Sequence, residues 1–337
     1  MVRAAITEAS RIPTPLGGLA LGIASLGWCL ENVFPLGGLG QLAGAAAAAI
    51  LLLLLVAKFI LHPSRLGEDL AHPVAGSVLP TFAMAAMVIS RCVGLGLPEV
   101  GRIIWLIAVG LHLTLLAAFI GRRLLDPQFK QMVPSWFIPP VGIVTAALTV
   151  PDGMSGDSFH ALAYGLMTFG VLSYFLLLPP MVYRMIFHHH EIVDAAKPTI
   201  AILAAPASLS LAGYLSVESD PSVVLCAALL GIALLMTAVI YLTLVRLLRL
   251  PFSPAYASFT FPLVIGATAL FKASEFFAAF PGHEEFAGIV RLLAAGELTV
   301  AILVVGFVCA LYLRSGICAL SISERASERK SNVLVKL

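Results

Sequence analysis

PAYASFTFPLVIGATALFKASEFF, residues 254–277, carries no charge until Lys272 and Glu275 near its end. It is long enough to cross a bilayer, because about 20 apolar residues at 1.5 Å each span the roughly 30 Å hydrocarbon layer. Pro254 opens the run and Pro262 interrupts it. An interior proline cannot donate to the carbonyl four residues earlier and its ring pushes that carbonyl aside, so the helix bends. In lipid the freed carbonyl, here that of Ser258, must find protein or water. A helix of this kind belongs inside a bundle.

The same pattern recurs at Pro73 and Pro80, at Pro134 with Pro139 and Pro140, and at Pro198 and Pro206. These prolines free the carbonyls of Gly76, Trp136 and Ile202. The opening prolines Pro13, Pro73, Pro134, Pro198 and Pro254 are 60, 61, 64 and 56 residues apart, which makes the unit a helical hairpin of about 60 residues repeated five times. The first unit has Gly17, Gly18 and Gly22 where the others have an interior proline, and these glycines are expected to supply its bend. The intervening runs, such as Leu51 to Leu55, are Leu-rich and suit a lipid-facing outside. Five bent helices around an axis with five straight ones outside leave a central passage.

Apolar stretches fall at 14–33, 39–61, 74–95, 101–122, 134–150, 158–180, 198–217, 222–246, 254–277 and 288–314. The predicted fold is therefore an all-α membrane protein of ten transmembrane helices. The fifth stretch is short. Residues 1–314 form the pore domain and 315–337 a C-terminal tail, for which plain disorder is the simplest expectation. Arg3 and Arg11 precede the first apolar run as in a signal peptide, but Glu8, Pro13 and Pro15 interrupt it, so it is read as a retained span. Sixteen of the 20 Lys and Arg residues fall on one side of this topology, and only Arg91, Arg102, Lys272 and Arg291 on the other. Basic residues are retained on the cytoplasmic side, which places both termini in the cytoplasm and the protein in the cell inner membrane.

Composition excludes several classes. The 337 residues are 60% hydrophobic and 11% charged, with mean hydropathy +1.01, against roughly 25% charged residues in soluble domains. The net charge of +2 and the absence of basic runs interleaved with aromatics exclude a nucleic-acid partner. Cys29, Cys92, Cys226, Cys309 and Cys318 are scattered and form no metal or redox pair. No Gly-rich phosphate loop, HExxH motif or partnered nucleophile is present, so neither an enzyme nor a cofactor is expected.

The motifs resemble those of the tellurite-resistance and dicarboxylate transporter family, which includes the bacterial TehA proteins and the guard-cell slow anion channels of plants. The resemblance covers nearly the whole chain. It rests on Gly22-Ile23-Ala24-Ser25-Leu26-Gly27-Trp28 followed by Leu30-Glu31-Asn32 and Phe34-Pro35, on His72-Pro73-Val74, on Pro134-Ser135-Trp136-Phe137-Ile138-Pro139, on Ala205-Pro206-Ala207 with Tyr214-Leu215-Ser216, and on Ser258-Phe259-Thr260-Phe261-Pro262. It implies a quasi-fivefold ring of ten helices and a homotrimer with a separate pore in each subunit. It also implies that a phenylalanine on the ninth helix, here Phe261, blocks the pore at mid-membrane.

Charge in the presumed pore helices is confined to their ends, at Glu31, Arg91, Lys272 and Glu275. Uncharged middles raise no barrier against anions, and Arg91 and Lys272 add positive potential at the outer mouth. Ser25, Ser77, Thr81, Thr145, Ser208, Ser210 and Thr268 are expected to face the passage. Glu297 is the one carboxylate well inside a span, where charge suggests function. It pairs with Arg291 or with a polar group on a neighbouring helix, or is a proton site. His112 and His160 are expected to be satisfied by packing, and His188-His189-His190-Glu191 to be a solvated loop and not a metal site. The function expected is a channel for small anions such as chloride or nitrate. The alternative is a secondary transporter of tellurite or four-carbon dicarboxylates, with Glu297 as its proton site.

Overall fold

The computed structural model describes residues 9–125, 131–151, 157–188 and 192–334, with the backbone alone at 124, 125, 157 and 318–334. All its regular elements are helical. Among the described residues, nine helices are long and apolar enough to cross a membrane. They are α1 (Leu16–Val33), α2 (Leu39–Leu61), α4 (Pro73–Val78) continued by α5 (Pro80–Gly96), α6 (Pro98–Leu125), α9 (Asp157–Phe187), the 3-10 segment Asp194–Ala204 continued by α10 (Ala205–Val217), α11 (Val223–Leu247), the 3-10 segment Pro254–Phe259 continued by α12 (Thr260–Ala278), and α13 (Glu284–Leu334). A short helix, α3 (Pro63–Ala71), joins α2 to α4.

The fifth crossing is a chain of short pieces: a 3-10 turn at Pro134–Phe137, α7 (Ile138–Val141) and α8 (Val144–Leu148). It still traverses the bundle. Ser135 Oγ lies 2.6 Å from Ser77 Oγ at one end, and the Val150 carbonyl accepts a 2.8 Å bond from Arg91 Nη1 at the other. The segment therefore runs beside the third span over its depth, antiparallel to α6, whose Trp105 and His112 meet Ala146 and Pro139. With it the crossings among the described residues number ten.

The prolines act by changing helix type more than by bending an α-helix. Pro206 and Pro262 sit where a 3-10 segment passes into α-helix. A 3-10 turn bonds three residues apart, so carbonyls that proline would strand are taken from nearer by. Ala205 N donates to Ile202 O, and Ile138 N to Ser135 O. At Pro80 the third span breaks into α4 and α5.

Burial separates the two sets of spans. In the seventh and ninth, 83% of the most apolar stretch is buried, against 28% in the sixth and eighth. The five odd-numbered spans form a closed ring, each touching the next and the ninth touching the first. The even spans stand outside. Lipid tails are as apolar as leucine, so helices in a membrane associate through close packing of small residues. In the first hairpin a Cβ on Gly27 would lie 2.4 Å from the Gly40 carbonyl, and in the second a Cβ on Gly101 would lie 2.6 Å from Gly94 Cα.

Two expectations are revised. Gly17, Gly18 and Gly22 lie within the single helix α1 without a break, and Gly17 and Gly22 serve close approach. A Cβ on Gly22 would stand 2.3 Å from Thr260 Oγ1, and one on Gly17 2.9 Å from Thr81 Oγ1. At the other end of the chain the backbone stays helical to Leu334, where a disordered tail from 315 was expected. Good helix formers such as Glu324, Arg325, Ala326, Glu328, Arg329 and Lys330 favour that continuation.

Candidate functional site

Near the bends, all five inner spans line one narrow cavity of about 50 Å³. The first span contributes Gly18 and Leu21, the third Thr81 and Met84, and the fifth Phe137 and Val141. The seventh adds Ile202 and Pro206, and the ninth Ser258, Phe261 and Pro262. A passage framed by every inner span lies on the axis of the ring. A water needs roughly 10–15 Å³ of such space, so this level of the axis admits only a few waters. No acidic or basic side chain lines it, and Thr81 and Ser258 are its polar side chains.

Phe261 is 8% exposed and forms part of this wall. Its position follows from the chain: the 3-10 to α junction before Pro262 ends one residue earlier, at Thr260. Of the other bend positions, Pro206, Pro262 and Gly18 line the cavity, whereas Pro80, Pro139 and Pro140 are buried between residues that do. Of the seven small polar residues expected to face the passage, only Thr81 does so at this level. Ser77 Oγ is spent on Val74 O and Ser135, and Ser208 Oγ on Ala204 O. Ser258 was not among the seven, although its carbonyl is the one that Pro262 frees.

Arg91 and Lys272 stand away from the constriction. Arg91 donates to Val150 O and covers the Trp28 ring at 5.3 Å, which ties the first, third and fifth spans together. Glu275 and Arg91 are the charged groups that act on Lys272. Glu297 is 5% exposed, and its Oε2 accepts a 2.5 Å bond from Tyr241 on the neighbouring α11. Of the two pairings anticipated for it, the one with a neighbouring helix is found; Arg291 is exposed. Glu297 opens on a separate cavity and not on the axis.

His112 Nε2 lies 2.9 Å from Pro139 O and His160 Nε2 2.8 Å from Val217 O, so each closes a backbone group, while His112 Nδ1 is buried without a hydrogen-bond partner. His189, His190 and Glu191 lie outside the described residues. Among the described residues no three His, Cys, Asp or Glu side chains are grouped to hold a metal.

Ten crossings, a closed inner ring and an axial cavity without charge define a multi-pass membrane protein built for transport. A sequence model of the voltage-dependent anion channel family (SLAC1) matches residues 15–313, and the chain belongs to that family. It is similar to two proteins of Methanocaldococcus jannaschii, each named only as an uncharacterized transporter: MJ0762, 26% identical over 236 residues, and MJ0576, 26% identical over 230 residues. Each match covers 62% of this chain and about two thirds of the relative, 67% and 66%.

Proposed function

We propose that the protein is a channel of the cell inner membrane that passes small anions such as chloride or nitrate along the axis of each subunit, with Phe261 as its gate. The observation that carries this reading is the cavity lined by all five inner spans, narrow and uncharged, with the Phe261 ring in its wall. A broad apolar ring at a constriction this small blocks a hydrated ion until it moves. Arg91 and Lys272 belong to the end with few basic residues, where they favour anions at the mouth. Both termini lie in the cytoplasm, with the 16 basic residues of that side, and the functional assembly is a homotrimer with one pore per chain.

The test is chloride current through the purified protein in planar bilayers. Phe261→Ala is expected to raise an ohmic, anion-selective current well above wild type. Absence of current from both forms, together with saturable proton-dependent uptake of tellurite or a four-carbon dicarboxylate, would replace the channel with a transporter. In that case Glu297 becomes the residue to follow.

A further inference from the structure

A second cavity, of about 390 Å³, lies off the axis between α10, α11, α12 and α13. Its walls are mostly apolar, with Leu230, Leu234 and Leu270 among them. Leu292 and Leu293 on its rim are 74% and 46% exposed, so it opens on the outer, lipid-facing surface of the bundle.

Glu297 is the one charged side chain of those walls, beside the polar Ser208, Thr237 and Tyr241. Its Oε2 is held by Tyr241, but Oε1 is buried and has no hydrogen-bond partner. Space is kept for that oxygen by Gly266, where a Cβ would stand only 2.8 Å from it. Among the described residues, no Lys or Arg pairs with this carboxylate. A buried carboxylate oxygen without a donor is costly, and more so at membrane depth. Ionised, that oxygen needs a hydrogen-bond donor. By charge complementarity it is a cation, and the leucine walls ask for an apolar body.

We propose that this crevice binds an amphiphilic amine from the membrane. Its ammonium pairs with the Glu297 carboxylate, and its hydrocarbon chain lies along Leu230, Leu234 and Leu270. The site stands apart from the axial cavity, and its occupancy does not depend on whether the axis conducts.

Binding is tested by calorimetry on the protein in phosphatidylcholine nanodiscs. Decylamine is the probe, decanol and decanoate are matched-chain controls, and the heat of partition into empty nanodiscs is subtracted. The expected result is saturable binding of decylamine at one per chain, weakened about tenfold or more in Glu297→Gln, with decanol and decanoate binding far more weakly. Glutamine keeps the size of the side chain and an acceptor for Tyr241. Leu234→Phe, which fills the cavity without touching the carboxylate, is expected to lose binding too and decides the matter if Glu297→Gln does not fold. Equal affinity of wild type and Glu297→Gln, decanol binding as tightly as decylamine, or no saturable binding at all would overturn the proposal.

Discussion

Lys58 Nζ and Asp69 Oδ2 stand 2.8 Å apart across the turn between α2 and α3, and Thr14 Oγ1 bridges them, accepting from the lysine at 2.8 Å and donating to the carboxylate at 2.5 Å. Lys58 is 4% exposed. The triad ties three segments of chain at the end of the bundle where Pro15 begins to line the axial cavity.

Breaking a buried pair by removing one partner leaves an uncompensated charge and costs about 3–5 kcal/mol. Asp69 is partly exposed, at 21%, so Asp69→Ala is expected at the lower end, about 3 kcal/mol. Replacing both groups, Lys58→Met with Asp69→Leu, is expected to recover most of the loss. Thermal midpoints in detergent check both. Equal loss in the single and double variants would mean that the pair acts only through packing.

Gly22 and Thr260 meet where the first and ninth spans touch. Gly22→Ala forces a methyl into that contact and is expected to cost about 1–3 kcal/mol by overpacking. Thr260→Ala in the same chain removes the nearest obstructing atom, Oγ1, but keeps Cβ, and is expected to restore part of the stability. A double-mutant cycle reads this coupling; additive losses would place the glycine's role elsewhere.

His112 reaches from an outer span to the Pro139 carbonyl in the broken fifth span. His112→Leu leaves that buried carbonyl without its partner and is expected to destabilise by about 1–3 kcal/mol. His112→Gln, which keeps a donor, is expected to lose less. The comparison is made by thermal midpoint, and a leucine variant as stable as wild type would show that the carbonyl finds another partner.

Glu31 closes the loop between α1 and α2, its carboxylate accepting from the backbone of Leu36, Gly38 and Gly40 at 3.1, 2.8 and 3.0 Å. Gly38 has φ +86°, a conformation that costs other residues about 1–2 kcal/mol. Glu31→Ala is expected to free three amides and lower stability by about 2 kcal/mol, and Gly38→Ala by about 1 kcal/mol. Limited proteolysis of residues 34–40 reports the loosening directly; an unchanged cleavage rate would deny the loop this restraint.

How much was legible in the chain differs by element. Hydropathy located the long spans, because each needs about 20 apolar residues wherever it stands. The recurring prolines marked the inner spans, because a stranded carbonyl in lipid has to be covered, but the outer α9 also holds Pro179 and Pro180 inside its helix. The Phe261 wall came from the family resemblance, since an apolar ring has no local signature that separates a pore wall from a lipid face. Only the tertiary structure decided that Gly22 is a contact and not a hinge, because nothing local reveals Thr260, 238 residues away, pressing on it. It also decided that the Ile202 carbonyl freed by Pro206 is recovered by a 3-10 turn, and that Glu297 is held by Tyr241 with one buried oxygen left unpaired. Periodicity and proline chemistry are properties of single segments and are written along the chain. Close approach, shared cavities and unmet hydrogen bonds belong to pairs of segments and exist only once the ring has closed.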